Sequence, residues 1–224
     1  EYAYRQKGKV ATLALGYQGG VKAMRAMDSG HELDSLSDEE VQELVNLWRG
    51  ANPNIVKLWG IMEAAAKAAV TEDRTSFLPH GVVVSRSIDT NSGLDFLILQ
   101  LPSGRSLYYP EPAITQNRFG GPSVSYMGQN QTTKKWERIE TYGGKLAENL
   151  TQAVARDCLA DAITRLEEAG FPVVFHIHDE IVVDVSPEKQ DLAEMKRLMA
   201  AVPKWAEGLP LKAEGWSNEF FKKD

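Results

Sequence analysis

Apolar residues recur at helical intervals through the first 70 residues of the chain. Ser37 and Glu40 have the spacing of a capping box, in which two side chains satisfy backbone N–H groups at the start of a helix. Apolar residues then follow at steps of three and four until Asn52-Pro53, where the proline should end one helix and begin the next. The pattern predicts two consecutive helices whose apolar stripes face a core. The predicted core residues are Val41, Leu44, Val45, Trp48, Ile55, Leu58, Trp59 and Met62.

From about residue 80 the apolar pattern shortens to a period of two, which is typical of strands. The predicted strand regions are residues 81–88, 95–110 and 123–144. Pro102-Ser103-Gly104 should turn one hairpin, and a second hairpin should turn near Asn130. Residues 110–122, between the two hairpins, are predicted to form a loop.

The last third of the chain predicts helices on either side of a further hairpin. The predicted elements are a helix from about Lys145 to Ala169, two β-rich arms in residues 171–188, a helix over residues 187–201 and a short strand with a tail over residues 209–221. Gly170 and Pro172 should end the long helix. The two β-rich arms meet at His178-Asp179-Glu180, which is therefore expected in a turn.

The charge of the chain is unevenly distributed. Its 224 residues allow one large domain or two small ones, and the net charge of -6 gives no overall signal for nucleic acid. However, residues 2–27 hold five cations and no acid, whereas residues 28–49 hold seven acids against Arg49 alone. A basic surface beside an acidic one is compatible with this pattern.

Cysteine usage and hydropathy indicate a reducing compartment and no membrane partner. Cys158 is the single cysteine, so an intrachain disulfide is excluded and a packing role is expected. No run approaches the roughly 20 apolar residues that span a bilayer, and we expect no signal peptide. Because the first residue is glutamate and a helix with candidate chemistry begins at once, we expect the chain to be part of a longer protein.

The opening segment combines two cations, a leucine and a tyrosine at steps of four, followed by glycines. The four residues are Arg5, Lys9, Leu13 and Tyr17, and the glycines are Gly16, Gly19 and Gly20. On one helix they would form a ridge about 18 Å long. Arginine offers a planar fork and lysine a point charge to phosphate oxygens, so the ridge suits a nucleoside triphosphate, with glycines leaving room for close approach. The alternative is a solvated helix face whose leucine and tyrosine dip into the core.

The turn His178-Asp179-Glu180 is the second candidate. Side chains in a turn are exposed and can converge on a ligand, and carboxylate oxygens are hard ligands suited to Mg²⁺. The alternative is a polar turn with solvated acids, and His176 and His178 can be structural. Zinc has weak support, because neither cysteine nor a helical His-x-x-x-His pattern accompanies these residues.

Lys145, Asn149 and Gln152 form a third group, a polar stripe at helical spacing on the long predicted helix. Their ammonium and amide donors could read base edges in the minor groove of DNA. The alternative is an ordinary exposed helix face.

Taken in order, the three groups resemble the polymerase domain of family A DNA polymerases, the class that includes bacterial polymerase I and many phage replicative enzymes. The opening "RQKGKVATLALGYQG" is similar to that family's Arg-x-x-x-Lys-x-x-x-Phe-x-x-x-Tyr-Gly motif, and "VFHIHDEIVVDV" to its His-Asp-Glu motif. The segments "LPSGRSLYYP", "GGKLAENLTQ" and "GWSNEFF" also look like the family's. The resemblance covers most of the chain.

The resemblance implies that Arg5 and Lys9 bind the triphosphate of the incoming deoxynucleotide, with Lys9 also a candidate proton donor to the leaving pyrophosphate. Leu13 would lie beside the sugar. Asp179 would be one of two metal-bridging aspartates, with Glu180 adjacent, in a site for two Mg²⁺ ions that act on an in-line displacement. The residues implied in contacts with primer-template DNA are Tyr17, Gly19, Gly20, Lys145, Asn149, Gln152 and His178.

Four features depart from the family pattern. Leu13 replaces the usual Phe or Tyr, which leaves sugar discrimination open, and Gln18 stands where glycine normally follows the tyrosine. Lys145 replaces the usual arginine, and the spacing from Asn149 to Gln152 is one residue shorter than is common. Leu13 and the "GYQGG" ending look more like phage or prophage members than like the bacterial repair enzyme.

The family's other catalytic aspartate lies in a motif upstream of the opening helix. The resemblance therefore implies a C-terminal fragment or a split-gene subunit of a DNA-directed DNA polymerase, inactive alone and completed by an upstream segment that carries the missing aspartate. The implied location is the cytoplasm of a bacterial or phage-infected cell. The implied fold is α+β: a helical fingers region with β-hairpin insertions over residues 1–142, then the C-terminal half of a palm over residues 143–224.

Two other functions stay open at this point. One is a non-catalytic module that binds nucleic acid or nucleotide through the fingers surface. The other is a relative of single-subunit RNA polymerases, because much of the ribose discrimination would be read in the missing upstream motif.

Overall fold

The computed structural model describes residues 2–117 and 119–221 of the chain. The chain forms two compact units, Glu1–Thr151 and Gln152–Asp224, and one long helix passes through the boundary. The helices are α1 (Tyr2–Leu15), α2 (Val21–Met27), α3 (Asp38–Ala51), α4 (Pro53–Glu72), α5 (Gly143–Glu168) and α6 (Leu192–Met199). The strands are β1 (Ser76–Phe77), β2 (Val83–Ile88), β3 (Asp95–Gln100), β4 (Ser106–Pro110), β5 (Ala113–Gln116), β6 (Pro122–Gln129), β7 (Trp136–Thr141), β8 (Val173–Ile177) and β9 (Glu180–Val183). The predicted α+β class is confirmed. The predicted functional division at residues 142 and 143 stays a prediction.

Helices α3 and α4 begin where local sequence signals place them. Ser37 caps α3 in the predicted capping box, and Asn52-Pro53 separates α3 from α4. The buried residues of α1, α2 and α3, with Leu33 from a connecting segment, form one apolar core: Ala14, Leu15, Met24, Leu33, Val41 and Val45. Trp59 and Met62 are also buried, as predicted. Leu44 and Ile55 are exposed instead, because they lie at the margins of their helical stripes.

Two antiparallel sheets follow in the first unit. One has the order β1-β2-β3-β4, and the other has the order β5-β6-β7. The predicted hairpin at Pro102-Ser103-Gly104 joins β3 to β4, with Gly104 at a φ of +89° that glycine adopts without strain. The predicted hairpin near Asn130 joins β6 to β7. Both hairpins are therefore confirmed.

The predicted loop over residues 110–122 is wrong, because it contains β5. This strand pairs with β6 from Ala113 opposite Ser125 to Gln116 opposite Pro122. Four residues between prolines and glycines are too few to show a clear period, so the pairing partner decides the conformation.

The long helix and the later hairpin also agree with the sequence. Helix α5 begins two residues before the predicted start, and Gly170 follows it at a φ of +83°. Strands β8 and β9 form a two-stranded antiparallel sheet. The second unit has its own apolar core, formed by Leu159, Ala162, Leu166, Phe171 and Ile181.

The C-terminal predictions need two corrections. The helix predicted over residues 187–201 is shorter, because Pro187–Lys189 forms a separate 3-10 turn and Asp191 caps α6 by accepting a hydrogen bond from the Glu194 N–H at 2.8 Å. The strand predicted within residues 209–221 is wrong, since that described segment forms none. Alternating apolar residues favour an extended chain, but a strand also needs a hydrogen-bonded neighbour.

Two predictions from composition can be compared with the structure. Cys158 is buried as a free thiol, and burial, with smaller effects of Asp161 and Asp157, raises its pKa. No helix of the described residues is long and apolar enough to cross a bilayer.

Candidate functional site

Helix α1 exposes the predicted triphosphate-binding residues on one side. Arg5 and Lys9 are exposed, and Leu13 is 47% exposed, whereas Ala14 and Leu15 are buried in the core of the first unit. From Arg5 to Leu13 this ridge rises about 12 Å along the axis. The helix therefore presents two cations and an apolar side chain along one line.

Tyr17 lies outside α1, which is a correction to the predicted four-residue ridge. The helix ends at Leu15, and Gly16 to Gln18 form a turn in which the Gln18 N–H donates to the Leu15 carbonyl at 3.2 Å. Gln18 has a φ of +70°, which no helix can continue. The half-buried Tyr17 is therefore positioned by the turn and not by helical spacing.

The two predicted DNA-contacting glycines have different surroundings. A Cβ at Gly19 would lie 2.0 Å from the Ala14 carbonyl oxygen and 2.8 Å from the Ala23 Cβ, so glycine is required there by the protein's own packing. A Cβ at Gly20 would meet nothing within 4 Å. The space expected for a ligand is thus present at Gly20, whereas at Gly19 the corresponding space is occupied by Ala14 and Ala23.

Side chains of α3 and α4 hold this turn at both ends. The Trp59 indole donates to the Gly16 carbonyl at 2.9 Å, and Arg49 donates to the Gly19 carbonyl at 2.9 Å. The Arg49 guanidinium lies 5.8 Å from the centre of the Trp59 ring, within cation–π distance. The sequence placed Trp59 in the core but did not indicate this second role.

Gln18, the departure from the family motif, links the turn to the start of α5. Its side-chain oxygen accepts a hydrogen bond from the Gly144 N–H at 2.9 Å. The two chain segments are in close contact, because a Cβ at Gly144 would lie 2.4 Å from the Tyr17 carbonyl oxygen and 2.4 Å from the Gln18 Cβ. Gln18 therefore satisfies one of the unpaired N–H groups at the N-terminus of α5. Sequence reasoning missed this contact, which spans 126 positions.

The polar stripe of α5 is present, and its three members also interact with other groups of the chain. Lys145 is exposed and pairs with Glu148 at 2.8 Å. A surface ion pair of this kind contributes about 0–1 kcal/mol to the stability of the fold, so a phosphate can replace the Glu148 carboxylate beside Lys145. Asn149 donates from its amide nitrogen to the Tyr109 hydroxyl at 3.0 Å. Gln152 is exposed and lies in the second compact unit.

Tyr109 fixes Asn149 from within the core of the first unit. Its side chain is 4% exposed, and its ring packs edge-to-face on Tyr126 with the centroids 5.0 Å apart. Burial raises the pKa of Tyr109 to about 12, and the hydrogen bond from Asn149 opposes that shift. The hydroxyl is therefore neutral and held in place at physiological pH. "SLYYP" gave no signal of this role, which depends on the strand lying against α5.

The His-Asp-Glu segment forms the tight end of the β8–β9 hairpin. Ile177 pairs with Glu180, so His178 and Asp179 alone make the turn and Glu180 is the first residue of β9. His178 has a φ of +52°, which is uncommon for a side chain larger than glycine. Asp179 and Glu180 are both exposed. The prediction of an exposed turn is confirmed for His178 and Asp179, whereas Glu180 is exposed on the adjoining strand.

Both strands of the hairpin pack against the core of the second unit, β8 through the partly buried Val173 and β9 through Ile181. Ile181 of β9 is buried in the core of the second unit, against α5 residues such as Leu159 and Leu166. On β8, Phe175 is exposed but contacts Phe221 edge-to-face at 5.3 Å. An open groove of about 1100 Å³ lies beside the hairpin and is bordered by Asp179, Glu180, α6 and residues 211–221. Asp179 and Glu180 are therefore exposed residues that border a groove and are not part of the core.

The donor set at this turn suits Mg²⁺ only as part of a site. Asp179 and Glu180 supply exposed carboxylate oxygens, which is the chemistry that Mg²⁺ prefers. Within residues 2–117 and 119–221, no group of three or more His, Cys, Asp or Glu side chains is arranged to hold a metal ion. The two carboxylates fit a magnesium site to which other groups also contribute.

Comparison with known proteins agrees with the resemblance at the level of DNA polymerases. The chain is 46% identical to a protein named DNA polymerase from Bacillus phage SP02, over 98% of this chain. It spans 33% of the length of that relative. No protein-family model matches the chain, and no solved structure is significantly similar to it. The similarity to a phage DNA polymerase is thus shown, and assignment to family A stays a prediction.

Proposed function

We propose that the chain supplies the nucleotide-binding and part of the catalytic surface of a DNA-directed DNA polymerase. The observation that supports this most strongly is the 46% identity over nearly the whole chain to the phage DNA polymerase. The exposed cations of α1 and the exposed carboxylates of the β8–β9 turn are compatible with the same role. Primer-template DNA and deoxynucleoside triphosphates are the proposed partners, and the bacterial cytoplasm is the proposed location.

Helix α1 would bind the incoming nucleotide. Arg5 and Lys9 would contact the triphosphate oxygens through charge-assisted hydrogen bonds, and Lys9 would give a proton to the leaving pyrophosphate. Leu13, further along the same ridge, would pack against the sugar. Tyr17 and Gly20 would lie at the nascent base pair, in the turn that Trp59 and Arg49 hold.

Asp179 and Glu180 would hold magnesium at the primer terminus, with His178 beside them. Bound Mg²⁺ would stabilise the attacking and leaving oxygens of an in-line displacement at phosphorus. We propose that the second bridging aspartate comes from a segment outside this sequence. The greater length of the phage relative supports this arrangement.

A chimera tests the proposed function. In it, this chain replaces the matching third of the Bacillus phage SP02 DNA polymerase, and extension of a labelled primer on a DNA template is measured. We expect Mg²⁺-dependent extension. Arg5→Ala and Lys9→Ala should each lower kcat/KM for the deoxynucleotide by about tenfold to a hundredfold, the loss of one hydrogen bond to a charged group.

Lys22→Ala is the matched control for these variants, because Lys22 is an exposed cation of α2, outside the α1 ridge. It should leave kcat/KM unchanged. A folded chimera that binds primer-template DNA but does not extend it would refute the catalytic role and favour a non-catalytic binding module. Equal losses in Lys22→Ala and Arg5→Ala would show that only overall charge matters.

A further inference from the structure

The end of the β6–β7 hairpin presents an exposed tryptophan next to two lysines. We define the hairpin end as residues 129–136. Trp136 is 64% exposed, and Lys134 and Lys135 are exposed immediately before it. None of these residues belongs to the nucleotide-binding or metal-binding surfaces described above.

The hairpin end is locally basic although the chain is acidic. Residues 112–136 contain no Asp or Glu, whereas the whole chain has 31 acids in 224 residues. Glu137 follows directly, but its side chain lies on the other face of β7 from Trp136, since neighbouring residues of a strand alternate. Its carboxylate accepts hydrogen bonds from Asn130 at 2.5 Å and from Thr133 at 3.2 Å.

The loop of the hairpin end is fixed by its own hydrogen bonds. The Asn130 side-chain oxygen accepts from the N–H groups of Thr132 at 2.8 Å and Thr133 at 3.1 Å. The Asn130 N–H donates to the Lys135 carbonyl at 2.8 Å, and the Lys134 N–H donates to the Asn130 carbonyl at 2.8 Å. Little conformational entropy is therefore lost in the loop when its side chains contact a ligand.

A third cation shares the outer face of the strand. Arg138 is two residues beyond Trp136 on β7 and so projects from the same face. Its guanidinium donates to the Glu111 carbonyl at 3.0 Å and to the Ser125 hydroxyl at 3.3 Å, and it lies 4.0 Å from the Glu111 carboxylate. Glu140, the next residue on this face, is farther from the hairpin end. The cations are thus concentrated around Trp136.

We propose that the hairpin end binds single-stranded DNA, with a base stacked on Trp136 and phosphates contacted by Lys134 and Lys135. Stacking on an exposed aromatic ring beside cations is the general mode by which proteins hold a single strand. A duplex suits the surface less well, because its base faces are covered by their neighbours. This proposal rests on the proposed polymerase function, which supplies the DNA.

Strand β7 separates the hairpin end from the start of α5. Strand β7 rises about 17 Å from Trp136 to Thr141, at about 3.4 Å per residue, and α5 with Lys145 begins two residues later. The proposed single-strand contact at Trp136 is therefore separate from the proposed DNA contact at Lys145.

The test is fluorescence anisotropy with the full chain and a labelled single strand of about 16 nucleotides, the upper site size of single-strand-binding folds. The blunt duplex of the same sequence is measured in parallel. Trp136→Ala should weaken single-strand binding about five- to a hundredfold, the range for one stacked base. Lys134→Gln with Lys135→Gln should lower the slope of log Kd against log salt by about 1.4.

Phe77→Ala is the matched control, because Phe77 is 82% exposed on the other sheet of the same unit. It should leave single-strand affinity unchanged. Three results would each overturn the proposal. The first is an unchanged affinity and salt slope in the hairpin-end variants, and the second is no single-strand binding by the wild-type chain. The third is tighter binding of the duplex than of the single strand. If the chimera extends primers but Trp136→Ala does not alter binding, this inference fails and the polymerase function stands. If the hairpin-end variants weaken single-strand binding but the chimera does not extend primers, this inference stands and the polymerase function fails.

Discussion

The hydrogen bond between Asn149 and Tyr109 gives a prediction whose sign changes with pH. Tyr109→Phe removes the hydroxyl and leaves the ring that packs against Tyr126. At neutral pH the partly buried Asn149 amide loses its acceptor, which should lower the free energy of unfolding by about 1 kcal/mol.

Alkaline pH should reverse this difference. The pKa of Tyr109 is about 12 in the folded chain against 10.0 for the free side chain, so the folded state retains the proton more strongly. The contribution of Tyr109 to the free energy of unfolding of the wild-type chain is therefore complete below pH 10. That free energy falls by about 3 kcal/mol as the pH rises through about 12. The phenylalanine variant has no such loss. The two stability curves should cross between about pH 10 and pH 11, where the loss reaches about 1 kcal/mol.

Urea unfolding followed by circular dichroism at a series of pH values measures this crossing, because other titrating groups cancel between the two proteins. Tyr108→Phe is the control, since Tyr108 is 60% exposed and should show neither effect. If Tyr109→Phe is as stable as wild type at neutral pH, or if its stability falls equally with alkaline pH, Tyr109 is not the buried acceptor described here.

Substitutions at three further residues test the contacts that hold the turn and the helix ends, with thermal unfolding as the common assay. Gln18→Ala should lower the free energy of unfolding by about 1 kcal/mol, because the Gly144 N–H loses its acceptor. Gln18→Gly should recover part of that loss, since glycine adopts a positive φ without strain. Gly144→Ala should cost about 1–3 kcal/mol through its clash with the Tyr17 carbonyl, and unchanged stability would disprove the close approach. Ser37→Ala should cost about 1 kcal/mol through loss of the capping box with Glu40, and a cost no larger than that of an exposed serine elsewhere would contradict this.

Local signals predicted the helices and hairpins well. The capping box at Ser37, the break at Asn52-Pro53 and the stop at Gly170 act within a few residues, so the sequence contains the whole signal. Strand β5 and the end of the chain were predicted wrongly, because a strand depends on a pairing partner outside its own residues.

In the candidate site too, local features were predictable from the sequence, whereas contacts between distant segments were not. The exposed ridge of α1 and the turn at Asp179 follow from spacing and from the change to a β pattern. The contact of Gln18 with Gly144 and that of Tyr109 with Asn149 could not be predicted, because they join elements that meet only after folding. The end of α1 at Leu15 was predictable only in part. The nearby glycines indicate that a helix ends there, but the positive φ of Gln18 has no signal in the sequence.

Replacement of Asp179 in the chimera tests whether the β8–β9 hairpin has the proposed catalytic role. Asp179→Asn keeps the size of the side chain and removes the charge that would hold magnesium, and Asp184→Asn is the control because Asp184 is exposed just beyond the same hairpin. Asp179→Asn should abolish Mg²⁺-dependent primer extension while DNA binding is retained, and Asp184→Asn should extend primers at the wild-type rate. Extension by Asp179→Asn at the wild-type rate would contradict the catalytic role of this hairpin.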